Sequence, residues 1–321
     1  IWKEGNTFYS CIGSRNADDS GQIALFSSGD TETWKWEGII ERCNNRYGKM
    51  WECPDFFTLE EKQVLIVSPQ FMRAEGLEFH NGNNSIYFAG TFNWEAKQFL
   101  HKEAGSIDYG LDFYAPQTVE TADGRRVMIA WMQSWDNYLT PEDSAWSGVM
   151  TIPRELSFKG NKLIQKPIRE LEAYWKKEIV HKAVKLENQA GEKMLDGIHG
   201  RIFDMTVECT GSDYRSFEII LAADSENRTS LICDREKGTL TTDRTYSGLV
   251  HDLISTRSMV TEEHDGKISL RILMDKFTLE VFANDGEQAM TSLIYTPLCA
   301  RDIRFSCDGS AEISVVMHEL V

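Results

Sequence analysis

The stretch Lys49-Met50-Trp51-Glu52-Cys53-Pro54-Asp55-Phe56-Phe57 decides how this chain is read, because it sets one carboxyl group at the head of an apolar run. Pro54 fixes its own φ, supplies no N–H and pushes the residue before it toward extended geometry. Glu52 and Cys53 are therefore expected at the end of a strand that leads into a loop. Strand ends and loops are where sites are built. A carboxyl group with apolar neighbours such as Trp51, Cys53, Phe56 and Phe57 is a better proton donor near neutral pH than a solvated one. Glu52 is thus the candidate catalytic residue. Taken alone, the stretch favours the plainer reading of Glu52 as half of an ion pair with an Arg, since ion pairs outnumber catalytic acids.

Outward from this stretch, residues 1 to about 168 read as short strands separated by turns. Ile23 to Phe26 and Val64 to Val67 are short apolar runs, and Ile86 to Phe92 is rich in aromatic and branched residues. Tyr114 to Val119 and Val127 to Trp131 flank Ala122-Asp123-Gly124, while Glu155 to Phe158 and Leu163 to Gln165 flank Lys159-Gly160-Asn161, both hairpin signals. Pro167 to Lys177 predicts a helix, with Ile168, Leu171 and Trp175 on one face. Beyond it β patterns return. Phe217 to Leu221 is one run, and Ile268 to Met274 turns at Asp275-Lys276 into Phe277 to Phe282. Asn284-Asp285-Gly286 supplies the positive φ of a hairpin turn before Met290 to Ile294. Repeated short antiparallel strands imply a sandwich, a barrel or a propeller, and the pattern leaves these open.

At Trp51-Glu52-Cys53-Pro54-Asp55 the sequence resembles the glycoside hydrolase family 32 β-fructosidases. Asp108-Tyr109-Gly110-Leu111-Asp112-Phe113-Tyr114-Ala115-Pro116-Gln117-Thr118 is similar to that family's second signature, and Met128-Ile129-Ala130-Trp131-Met132 to a third. The C-terminal run from Ile268 through Asn284-Asp285-Gly286-Glu287 to Ile294 extends the resemblance. It implies an all-β fold, a five-bladed β-propeller followed by a C-terminal β-sandwich. Residues 1–168 would be propeller, 169–177 a helical linker and 178–321 the sandwich. The family's Asn-Asp-Pro-Asn and Arg-Asp-Pro motifs, which carry a nucleophilic Asp and a second Asp that steadies the transition state, do not occur here. Ile1 to Tyr9 resembles the segment that follows Arg-Asp-Pro, so the first blade is expected to be absent from this chain.

By the same resemblance Glu52 would be the acid/base of a retaining glycosidase that cleaves terminal β-fructofuranosides, with carboxyl groups about 5–5.5 Å apart. Asp108 would accept hydrogen bonds from fructose hydroxyls, although Asp is also a common turn residue. Trp131 would form an apolar wall beside the fructosyl ring, although it equally continues the strand pattern of Val127 to Ala130 as a core residue. The isolated chain would be inactive. The alternatives are a non-catalytic fructoside-binding module or pseudoenzyme, and an interaction protein that keeps only the fold.

Composition agrees with a small carbohydrate as partner. With 41% hydrophobic residues the chain can build sizeable cores for two domains, and its formal charge of −16 argues against nucleic acid or an anionic membrane, which attract basic surfaces. The seven cysteines, with no C-x-x-C spacing and no His at metal-ligand intervals, read as free thiols in a reducing, cytoplasmic setting and predict neither metal nor cofactor. A missing N-terminal segment of its own or a second copy in a homodimer are the candidate protein partners.

Overall fold

A computed structural model of the chain describes residues 1–137, 139–141, 144–188, 191–249 and 252–321. Antiparallel strands dominate it, and it divides into two compact units. One comprises residues 1–107, 113–131 and 156–163, the other residues 108–112, 132–155 and 164–321. Among the described residues no helix is long and apolar enough to cross a membrane.

In the first unit the chain lays down four-stranded meanders in sequence order. Strands β1 (Trp2–Glu4), β2 (Thr7–Arg15), β3 (Gly21–Ser28) and β4 (Lys35–Arg42) form one sheet; β5 (Met50–Leu59), β6 (Lys62–Gln70), β7 (Ile86–Asn93) and β8 (Gln98–Ser106) form the next. The hairpin of β9 (Tyr114–Glu120) and β10 (Arg126–Met132) follows, turning at the expected Ala122-Asp123-Gly124. Short turns between neighbouring strands make each sheet a local unit, the pattern of a β-propeller. The continuous apolar run in β6 now has its reason. Leu65 and Val67 enter one core with Ile23, Leu25 and Phe88, while Val64 and Ile66 enter another with Met128, Ala130 and Leu156. A sheet covered on both faces needs apolar residues at every position.

Strand β5 corrects the expectation that a strand ends at Glu52 and Cys53. It runs on through Pro54 to Leu59, and the irregularity is a bulge. Glu52 pairs with Ser68 and Asp55 with Ile66, so β5 carries one more residue than β6 across that interval. Cys53 takes the strain at φ +46°, and its side chain is exposed. Trp51 and Phe56 would lie on opposite faces of a regular strand, yet both are buried in the same core. Trp51 is fully buried, its indole N–H donating to the Tyr47 carbonyl at 2.7 Å. Gly21 makes room for the ring, since a Cβ there would lie 2.4 Å from Trp51 Cδ1.

After β11 (Val149–Met150), β12 (Arg154–Lys159) and β13 (Lys162–Pro167), the expected helix proves to be a six-residue 3₁₀ segment, Arg169–Tyr174. Tertiary contacts capture its far end. Trp175 opens β14 (Trp175–Glu187), stacking on His318 with ring centroids 3.9 Å apart and donating to Asp204 at 2.9 Å. The second unit is a β-sandwich built around β15 (Ile202–Ala223). Along one side β15 pairs first with β19 (Lys267–Asp275) and then with β16 (Arg228–Asp234), from which the sheet continues to β17 (Thr239–Tyr246) and β18 (Thr256–Val260); along the other it pairs with β22 (Asp302–Leu320). The register shifts between Thr210 and Asp213, where Gly211 sits at φ +127°, and the strand can bend over its own core of Phe203, Met205, Phe217 and Ile219. The turn at Asn284-Asp285-Gly286 joins β20 (Thr278–Ala283) to β21 (Gln288–Leu293), with all three residues at positive φ as expected.

The strained bulge residue can be tested without disturbing a core, because the Cys53 side chain is exposed. Cys53→Gly is expected to keep or raise the thermal midpoint. Cys53→Val is expected to lower it, with about 1–2 kcal/mol separating the two in denaturation experiments.

Candidate active site

Strand alternation puts Glu52 on the face of β5 opposite Trp51, at the edge of the bulge, and there it is half-buried. Its Oε2 accepts a hydrogen bond from Gln70 Nε2 at 3.0 Å and lies 2.9 Å from the Tyr114 hydroxyl. That hydroxyl is also 3.0 Å from the Ser68 carbonyl. Ser68 is Glu52's ladder partner and Gln70 lies two residues further along β6, so all three side chains share one face.

Strand β9 is fastened to the bulge along its length. Tyr114 reaches Glu52, Gln117 Nε2 donates to the Cys53 carbonyl at 2.9 Å, and the Asp55 carboxylate accepts from Thr118 N at 2.7 Å and Thr118 Oγ1 at 2.6 Å. Burial raises the Asp55 pKa, and the two Thr118 bonds oppose that rise. Residues of the second signature thus hold residues of the first. Trp131 stands opposite Tyr114 in the β9–β10 ladder, after a register shift that follows Ile129, and is half-buried. Directly opposed residues share a face. Glu52, Tyr114 and Trp131 therefore belong to one arrangement in the first unit.

Asp108 lies in the second unit and is engaged there. Its Oδ1 accepts from Gly110 N at 2.8 Å and Thr291 N at 2.9 Å; its Oδ2 accepts from Arg154 Nη1 at 2.9 Å and Thr291 Oγ1 at 2.6 Å. A carboxylate has about four acceptor sites, and these bonds occupy them, so a sugar hydroxyl would have to displace one. Arg154 has a fully buried side chain and pairs also with Glu280 Oε2 at 2.6 Å. Gly110 is required by this packing, because a Cβ there would lie 2.0 Å from the Thr291 carbonyl oxygen.

Sequence reading missed two groups that hold Glu52. Tyr114 was visible inside the second signature, but nothing local marked its hydroxyl as a partner for Glu52. Gln70 follows Pro69 at the end of an ordinary strand, and only the β5–β6 register reveals it. Among the described residues no group of three His, Cys, Asp or Glu side chains is arranged to hold a metal ion, and the seven cysteines are free thiols. An open hollow of about 800 Å³, lined by Tyr214, Arg235 and Glu263 among others, lies in the sandwich unit and involves none of the residues around Glu52.

Removal of the buried guanidinium provides a test of the second unit. Burial already pushes the Asp108 and Glu280 pKa values up, against the pull of Arg154. In Arg154→Met that pull is gone, and both folded pKa values lie further above the unfolded ones. The neutral forms are favoured at low pH, and stability falls as pH rises through the raised values. The variant is expected to lose about 3–5 kcal/mol at pH 7 and to recover part of that loss toward pH 5, measured by denaturant titration.

The family model described as the glycosyl hydrolases family 32 N-terminal domain matches residues 1–167, and the model of the family 32 C-terminal domain matches residues 170–319. The chain is 30% identical over 322 residues to a sucrose-6-phosphate hydrolase of Escherichia coli, covering 99% of the chain and 64% of that protein. It is 30% identical over 312 residues to a raffinose invertase of the same organism, covering 97% of the chain and 64% of the relative. The solved structure of a Bombyx mori β-fructofuranosidase aligns with a TM-score of 0.83 at 27% identity, over 100% of this chain and 64% of that one. A sucrose-6-phosphate hydrolase from Lactobacillus gasseri gives a TM-score of 0.86 at 21% identity, over 99% and 64% of the respective chains, and bears on the fold alone. The chain spans 64% of the length of these relatives.

Proposed function

We propose that this chain, which belongs to glycoside hydrolase family 32, carries the proton-transferring carboxyl of a retaining glycosidase that cleaves terminal β-fructofuranosides, among them sucrose and its 6-phosphate. The observation that supports this most is the setting of Glu52. It is half-buried, set at the edge of a bulge and held on one oxygen by Gln70 and Tyr114. A structure of a Bombyx mori relative at 27% identity was solved with sucrose bound, and the named relatives include a sucrose-6-phosphate hydrolase and an invertase.

In the proposed reaction a nucleophilic carboxylate forms a fructosyl ester at the anomeric carbon. Glu52 gives its proton to the departing oxygen, then takes one from the incoming water. Trp131, on the Tyr114 side of the β9–β10 ladder, is proposed as an apolar wall for the fructosyl ring. Asp108 is left out of the proposed sugar contacts because its acceptor sites are occupied. We also take five blades, and the division into residues 1–168, 169–177 and 178–321, as the working architecture; the matched stretches 1–167 and 170–319 support that division. The free thiols favour a reducing, cytoplasmic setting.

The protein expressed from its complete reading frame is the material for the test. Glu52→Gln is expected to lower turnover of sucrose by about 10²–10⁴-fold, with a much smaller effect on an activated β-fructoside whose leaving group needs no proton. Near-normal sucrose hydrolysis by the variant would remove Glu52 from the mechanism. Fructoside affinity without turnover in the unmodified protein would favour a binding module instead.

A further inference from the structure

Resting on the reading of Glu52 as acid/base, we infer that Gln70 is a positioning residue that gives the two oxygens of that carboxyl separate tasks. Oε2 is the fixed acceptor, and Oε1 carries the proton that is transferred. Two donors converge on Oε2, Gln70 Nε2 at 3.0 Å and the Tyr114 hydroxyl at 2.9 Å, and among the described residues no hydrogen bond reaches Oε1. A proton placed on Oε2 would meet the Nε2 amino group of Gln70, which faces that oxygen and can donate but not accept. Oε1 meets no such conflict.

The two donors are not equivalent. Tyr114 has one hydroxyl proton and two acceptors in reach, Glu52 Oε2 and the Ser68 carbonyl at 3.0 Å, so its donation can turn from one to the other. The Gln70 amide keeps its N–H groups in every protonation state of Glu52. Its backbone is held as well. Gln70 pairs with Met50 in the β5–β6 ladder, and its carbonyl accepts from Lys49 N at 2.9 Å. Gly48, at φ +80°, lets this segment close up, because a Cβ there would lie 2.5 Å from the Gln70 carbonyl oxygen. The donor is therefore delivered by the sheet and not by a free loop.

This arrangement favours the charge that develops during the reaction. As the Oε1–H bond breaks, its electron pair stays on the carboxylate. The departing oxygen takes the proton and keeps the electron pair of its bond to the anomeric carbon, and that carbon is taken up by the nucleophilic carboxylate. Negative charge grows on Glu52, and a neutral N–H···O bond at Oε2 becomes a charge-assisted one. In the second half of the cycle Oε1 receives the proton of the attacking water.

The test compares Gln70→Leu, similar in size but without a donor, with the unmodified protein from its complete reading frame. Specificity constants report the first chemical half alone, for sucrose and for an activated aryl β-fructoside. The kcat/KM for sucrose is expected to fall about tenfold, the size of one lost hydrogen bond to a developing charge, while that for the activated substrate stays within about twofold. Equal losses on both substrates would mean a structural role, and an unchanged sucrose constant would remove Gln70 from the mechanism; either overturns the inference. Gln70→Met carries the same comparison should the Leu variant fail to fold. The outcome is separable from that for Glu52. A Glu52→Gln enzyme with normal sucrose hydrolysis sinks the acid/base assignment, whereas an impaired Glu52→Gln beside an unaffected Gln70→Leu sinks only the role of Gln70.

Discussion

One extra residue in β5 is the constraint on which the first unit depends. A regular strand alternates faces with a period of two, so it could not send both Trp51 and Phe56 into the same core. The bulge between Glu52 and Asp55 resets that alternation. Trp51 and Phe56 can then both be buried, while Glu52, next to Trp51 in the strand, lies on the other face and is reached by Tyr114 of β9. The cost is a non-glycine residue at positive φ, of order 1–2 kcal/mol, located at Cys53 where no packing is sacrificed. Pro54 suits the irregularity because the ladder has no use for an N–H there.

The same logic of competing demands separates the two acidic residues singled out in the sequence. Glu52 keeps one oxygen without a hydrogen bond from the described residues, and a carboxyl in that condition can exchange a proton with something else. Asp108 keeps none, having accepted two backbone N–H groups, a threonine hydroxyl and a guanidinium. A buried carboxylate so fully paired is costly to disturb, which makes it an anchor for the segment from Asp108 to Asp112. Asp112 repeats the theme, accepting from Leu293 N at 2.7 Å and pairing with Arg244 at 2.5 Å.

Much of this was legible in the sequence because strand period, turn residues and signature order are local properties. Asn284-Asp285-Gly286 and Ala122-Asp123-Gly124 gave their turns directly, and the apolar run Val64 to Val67 gave a strand. What escaped depends on partners far along the chain. The bulge needed the Glu52–Ser68 register, Gln70 became visible only through that register, and Asp108 was indistinguishable from a sugar acceptor until Thr291 and Arg154 were beside it. The helix expected over Pro167 to Lys177 shortened because Trp175 was drawn into the sandwich by His318 and Asp204. Periodicity cannot see such capture.

Glu52 is proposed to exchange a proton with the leaving group and then with water. Anion rescue tests it most directly. When Glu52 is replaced by Ala, a small anion such as azide can enter the space the carboxyl leaves and attack the fructosyl intermediate without needing a base. On an activated β-fructoside, added azide is expected to restore turnover and to yield the β-configured fructosyl azide, because the anion arrives from the face on which Glu52 stood. Absence of rescue in a folded Glu52→Ala protein, or an azide of the opposite configuration, would contradict it.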